Sequence, residues 1–169
     1  MKKFFLFSAL FTLLSCSDGD LQIETLDFST VTAQNCGTLT VDTELFFKIN
    51  DNEALILNLQ DGILKNEVST EEITSAISDS GSKLTYRTFS GTVTSSYFCD
   101  SPPPATPTVL EEIEAAEGIV TISTVAGETE GTFVHTIKLS NITLLNNDDT
   151  RITDLNIEDF AVITTTISQ

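Results

Sequence analysis

The chain has 169 residues, with 25 acidic and 8 basic side chains and a formal net charge of −17 at pH 7. Such an acidic surface repels phosphate backbones and anionic lipid headgroups, so we expect no nucleic-acid partner. One histidine and three cysteines, without a CxxC pair, argue against a zinc site, so we expect no cofactor.

The first 15 residues have the composition of a signal peptide. Lys2 and Lys3 form a positive start, and the uncharged run Phe4–Leu14 follows them. As a helix this run would reach roughly 16 Å, whereas the hydrocarbon core of a bilayer is about 30 Å thick. We therefore predict that residues 1–15 are a signal peptide and leave them out of the fold.

The apolar run ends in Leu13, Leu14, Ser15 and Cys16, a sequence that resembles the lipobox of bacterial lipoproteins. In that family the cysteine thiol receives a diacylglyceryl group, the signal is cut before the cysteine, and the new amino end is acylated. The resemblance implies a membrane anchor on Cys16, since two or more acyl chains hold a protein stably. An ordinary secretory signal with an accidental cysteine is the alternative.

The next residues, Ser17, Asp18, Gly19 and Asp20, resemble the acidic export signal of Bacteroidetes-type surface lipoproteins. The resemblance implies an outer-membrane protein that faces the cell exterior. The alternative is a solvated acidic tether on a protein that faces the periplasm. We assign residues 16–21 to the lipidated cysteine and its tether, and residues 22–169 to one domain.

Alternation of apolar and polar side chains dominates the first part of this domain. Leu39–Asn50 alternates with one exception, Phe46, and predicts a half-buried strand. Glu53–Leu59 predicts a second strand with its leucines on one face. Residues 83–99 predict one strand or two, broken at Ser90 and Gly91, and a proline-rich extended connection follows.

Two segments are ambiguous between helix and strand. Residues 69–78 and 108–117 both begin with capping-box spacing, a hydroxyl residue followed by glutamate three positions later. A strand is nearly as well supported in the first segment. In the second, a strand with a hairpin turn at Glu117 and Gly118 competes with the helix, and we favour the strand.

The last part of the chain predicts two more strands. In residues 131–145 the apolar positions change from odd to even numbers, which indicates a β-bulge near Ser140 and Asn141. Asp159–Ser168 predicts the final strand. About eight strands separated by short turns predict an all-β fold, an antiparallel β-sandwich of immunoglobulin-like or jelly-roll-like type.

Cys36 and Cys99 remain once Cys16 carries lipid. Export places them in an oxidising compartment, so we predict a disulfide between them, with two separate buried thiols as the alternative. The segments KLTYRTF, YFCDSPPPATPTV and EGIVTI around Cys99 resemble a group of uncharacterised lipoproteins of flavobacterial type. That resemblance implies a fold and a cellular address, and brings no activity.

Few residues point to catalysis. His135 shares a strand row with Phe133 and Ile137, as a core histidine does. It is the one possible base for a serine triad, and no G-x-S-x-G sequence marks a nucleophile. An acid pair of a glycoside hydrolase is not marked by the sequence, so we predict no enzymatic activity.

Two groups of residues are candidates for ligand binding. Asn146–Asp149 and Asp154–Asp159 offer oxygen ligands for calcium, or else are turn residues at strand ends. Phe46, Tyr86 and Tyr97 sit among polar neighbours and would form a glycan platform if exposed, or be covered by a second layer.

The sequence therefore predicts a non-enzymatic binding or envelope-structural module, held at the outer membrane by its lipid and facing outward. Its ligand would be a protein or a glycan. The alternatives are a surface polysaccharide hydrolase or glycan-binding accessory protein and, third, a periplasm-facing assembly factor.

Overall fold

The computed structural model describes residues 25–145, 151–152, 154–156 and 159–167. Almost all regular structure in these ranges is β-strand, because β-branched and aromatic residues dominate the alternating segments. The elements in chain order are β1 (Thr25–Asp27), β2 (Gln34–Asn35), β3 (Leu45–Asn50), β4 (Glu53–Asn58), β5 (Ile73–Ala76), β6 (Lys83–Phe89), α1 (Ser96–Cys99), β7 (Val109–Ala126), β8 (Thr132–Leu145), β9 (Arg151–Ile152), β10 (Asp154–Asn156) and β11 (Asp159–Thr166).

Nine strands form one antiparallel sheet in the order β11-β8-β7-β6-β4-β3-β2, with β5 paired to β7 and β9 paired to β8. Strands β1 and β10 form a separate parallel pair. The predicted all-β antiparallel class is confirmed. The single sheet curls into an open half-barrel, so the two-sheet sandwich is not confirmed.

The 18-residue strand β7 is the central strand of this sheet and pairs with three others. Its first part pairs with β6 and its second part with β5, while β8 pairs along Ala115–Ala126. Segment 108–117 is therefore strand rather than helix. The prediction of a hairpin turn at Glu117 and Gly118 was wrong, since Gly118 lies inside β7. The turn comes later, between Ala126 and Thr132.

The predicted bulge in β8 is confirmed, and it has a counterpart in β7. Between the Ile119–Ser140 pair and the Glu117–Thr143 pair, the register moves by two residues on β7 and by three on β8. The extra residue on β8 is accommodated at Asn141, whose backbone is in the left-handed region with φ 54°. A further shift lies between Ala115 and Glu117, so both strands change their inward-facing phase at the same level.

Other sequence predictions need correction. The strand predicted from Leu39 begins at Leu45, because a turn occupies residues 41–42. Segment 69–78 contains the strand β5 and no helix. Residues 90–99 do not form a second strand, since they end in the single helical turn α1.

Strands β3 and β4 are buried on both faces, which explains why simple alternation misjudged them. Phe46, Leu55 and Leu57 point into the main core inside the curl, where they join Val120 and Ile137. The opposite face carries a second, smaller core, formed by Phe47, Ala54, Ile56, Phe89 and Val93. Tyr97 and Phe98 of α1 cover this second core, with the Phe98 ring stacked on Phe47 at 4.4 Å.

The Cys36–Cys99 disulfide is present, with 5.3 Å between the two Cα atoms. It joins the segment after β2 to the last residue of α1, and Cys36 packs against the second core. The bond closes a loop 63 residues long. Such a closure restricts the unfolded chain and is worth about 4 kcal/mol in the chain-entropy model.

We predict that Gly118→Ala destabilises the fold. A Cβ at this position would overlap the Ile142 side chain and lie 3.0 Å from Cγ1 of Ile77, and the backbone has φ +155°. Overpacking of this kind costs about 1–3 kcal/mol, and urea denaturation would measure it. Gly91→Ala is the control, because nothing lies within 4 Å of a Cβ there. Equal stability of the two variants would contradict the close packing at Gly118.

Candidate functional site

A cleft of about 400 Å³ opens where the β5–β6 connection meets β7. Strand β6 pairs with β7 as far as Glu114, and β5 starts pairing only at Ile119. The gap between these two pairings leaves a short stretch of β7 without a strand beside it on that edge. The lining residues are Ile77, Ser78, Asp79, Lys83, Leu84, Glu114, Ala115 and Ala116.

The cleft has an apolar floor and a charged rim. Ile77 and Leu84 are buried and belong to the main core. On the rim, Lys83 Nζ lies 4.0 Å from Asp79 Oδ1, and both side chains are exposed. An exposed ion pair at that distance contributes little to stability, so the rim charges remain available to a ligand. The arrangement suits a small ligand with a polar edge.

A second cleft, of about 270 Å³, lies between residues 31–33 and the start of β11. Lys48 of β3 is close to this region and is only 3% exposed. Its Nζ donates to the Phe28 carbonyl oxygen at 3.0 Å and lies 5.6 Å from the centre of the Phe160 ring. Burial lowers the pKa of Lys48, and the Asp159 carboxylate partly opposes this shift.

Lys48 was missed by sequence reasoning, because it lies among the polar positions of the half-buried strand predicted for Leu39–Asn50. Strands β3 and β11 lie near opposite ends of the strand order, yet Lys48 reaches both Phe160 and the segment after β1. The curl therefore brings the two ends of the sheet together. The contact between Lys48 and Phe160 cannot be predicted from a lysine in an alternating strand, because it depends on how far the sheet curls.

His135 is confirmed as a core residue, with no exposed surface. Its Nδ1 lies 2.8 Å from Thr124 Oγ1 on β7, and its Nε2 lies 2.7 Å from Thr165 Oγ1 on β11. Thr165 Oγ1 in turn donates to Asn66 Oδ1. Burial lowers the pKa of His135, so the imidazole is neutral at pH 7.

Several of the other predicted site residues lie outside the residues that the structure describes. Cys16 lies there, as do the lipobox Leu13–Ser15, the acidic residues Ser17–Asp20 and the calcium candidates Asn146–Asp149. Of the second calcium candidate, the Asp159 carboxylate faces Lys138 Nζ at 3.6 Å. Within residues 25–145 and the described parts beyond them, no group of three acidic, histidine or cysteine side chains is placed to hold a metal ion.

Phe46, Tyr86 and Tyr97 do not form the exposed glycan platform that the sequence left open. Phe46 is 1% exposed and Tyr86 is 2% exposed, since both point into the main core. Tyr97 is half-buried and packs edge-on against Phe89, with 4.9 Å between ring centres. A glycan platform made of these three rings is therefore excluded by their burial.

Comparison with known proteins adds no assignment. A scan against protein-family models matches no family, and searches of the curated proteins and of the solved structures give no match. Among the helices that the structure describes, none is long and apolar enough to cross a membrane.

We predict that the protein loses stability as the pH falls from 7.5 to 5.5. Burial holds the pKa of His135 below its ordinary value of 6.5. Above pH 6.5 both folded and unfolded chains carry neutral imidazole. As the pH falls below 6.5, the unfolded chain takes up a proton that the folded chain excludes, at no more than about 1.4 kcal/mol per pH unit.

Urea denaturation at several pH values would measure this slope. His135→Gln is the comparison variant, because its amide keeps one donor and one acceptor and does not titrate. Its stability should stay constant over the same window, which lies above the ordinary carboxylate pKa values. A slope as steep in the variant as in the wild type would assign the effect to other groups.

Proposed function

We propose that the protein is a lipid-anchored lipoprotein of the outer membrane and acts at the cell surface as a non-enzymatic binding or envelope-structural module. The observation that carries the non-enzymatic part is the position of His135. Both ring nitrogens of the chain's one histidine are engaged by buried threonine hydroxyls. A base held in this way stabilises the core and does not meet a substrate.

The binding part of the proposal rests on the cleft beside β7. Its lining combines the buried side chains of Ile77 and Leu84 with the charged side chains of Asp79, Lys83 and Glu114. Pockets with an apolar floor and a few polar groups are the usual form of a small-ligand site. A protein or glycan ligand would place a short polar group there.

The cellular address rests on the sequence from Leu13 to Asp20. A lipobox after a short apolar run supports the anchor, and the acids that follow support export to the surface. The disulfide is consistent with an oxidising compartment, because cytoplasmic thiols are kept reduced.

We predict that Cys16→Ala abolishes lipidation. In cells labelled with a fatty-acid probe, the wild type should carry label and the variant should carry none, because the thiol is the acylation site of a lipobox. Ser17→Ala is the matched control, since it leaves the residues up to Cys16 unchanged and should label normally. Equal labelling of wild type and Cys16→Ala would refute the anchor.

We predict that replacing both Asp18 and Asp20 with alanine leaves lipidation intact and moves the protein inward. Protease treatment of intact cells should cleave the wild type and spare this variant. Replacing Glu128 and Glu130 instead removes the same charge from an exposed turn and should have no effect. If the wild type is cleaved only after lysis, the surface location is wrong and the periplasm-facing alternative replaces it.

A further inference from the structure

The two threonines that hold the imidazole also hold a surface loop. Residues 60–72, here called the β4–β5 loop, lie between β4 and β5. Thr165 donates to Asn66 Oδ1 in this loop. Thr124 and Ser69 share three bonds: Ser69 N and Oγ donate to the Thr124 carbonyl at 3.0 and 3.2 Å, and Thr124 N donates to Ser69 Oγ at 2.7 Å.

The direction of each hydrogen bond follows from these partners. The Thr165 hydroxyl gives its proton to a carbonyl oxygen, so it must accept from His135 Nε2–H. A neutral imidazole has one donor and one acceptor, which leaves Nδ1 to accept from the Thr124 hydroxyl. The chain of bonds is complete only with a neutral ring.

A second proton on the imidazole ring would be incompatible with these hydrogen-bond directions. It would turn Nδ1 into a donor facing the hydroxyl that now donates to it, and it would place a positive charge in the core. Burying a charge without a counter-charge is costly. Relief would come from moving the threonines, and both are bonded to the β4–β5 loop.

No described charged group is placed to compensate the proton. On β8 and β11, Lys138 and Asp159 pair with each other. The charged residues of the loop are all exposed, namely Asp61, Lys65, Glu67, Glu71 and Glu72, and residues 119–126 of β7 are uncharged. Burial lowers the pKa of the imidazole.

We propose that His135, Thr124 and Thr165 form an acid-sensitive latch, which holds the β4–β5 loop on the sheet while the imidazole is neutral and releases it when the ring takes a proton. The loop carries Leu64, which is buried in the main core, and Ile63, which packs against it. Release therefore bares apolar surface at one end of the half-barrel while the strand ladders persist. This inference does not depend on the proposed function.

Amide hydrogen exchange of the full-length protein at pH 7.5 and 5.5 tests the latch, after correction for the intrinsic pH dependence of exchange. The Ser69 amide should lose protection by up to about tenfold at pH 5.5, and its exchange should be insensitive to low concentrations of urea, as expected for local opening. Amides of β6 exchange through global unfolding, so they should stay better protected than Ser69 at both pH values and should respond to urea. Unchanged protection of Ser69, or exchange of Ser69 that responds to urea as β6 does, would overturn the proposal in favour of a purely structural histidine.

Three variants sharpen the test. His135→Gln should keep Ser69 protected at both pH values. Thr165→Val, which removes the hydroxyl but keeps the shape, should leave the loop open at both. Thr166→Val is the control, because this neighbour is exposed, and it should behave like the wild type. If a variant fails to fold, the pH comparison in the wild type still decides.

Discussion

The long strand β7 is the constraint on which the rest of the structure depends. Because it is 18 residues long, it pairs with two different strands on one edge and with β8 on the other. The shifts at Ala115–Ile119 and the left-handed Asn141 bend both strands at one level. Bulges increase local twist, so the sheet curls there instead of continuing flat. The cleft beside β7 is the gap left by the same change of partner.

Curling creates the core and also decides what its polar residues do. The inner face of the curl buries the side chains of β7 and β8 against those of β4 and β6. His135 and Lys48 are enclosed with them, and each is paired with specific groups: hydroxyls for the imidazole, a carbonyl and a ring for the ammonium. A buried polar group needs such partners, because leaving it unpaired costs more than the bond contributes. These residues thereby connect elements that are distant in sequence.

The second core has a different origin. Strands β3 and β4 would show their outer face to water, but α1 and the disulfide fold over it. A four-residue helical turn cannot be stable by itself. It is held by the Cys36–Cys99 bond and by ring contacts of Tyr97 and Phe98. The covalent link thus holds α1, which precedes the proline-rich connection, over the outer face of β3 and β4.

The sequence by itself determined the strand class, the bulge in β8, the pairing of the two cysteines and the core position of His135. These follow from local periodicity and from the chemistry of residue types, which act within a few positions of the chain. Only the tertiary structure decided that Phe46 and Tyr86 are buried, that Gly118 lies within a strand, and that Lys48 reaches Phe160. Burial on both faces and contact across the curl depend on partners far along the chain, and alternation within one strand does not encode them.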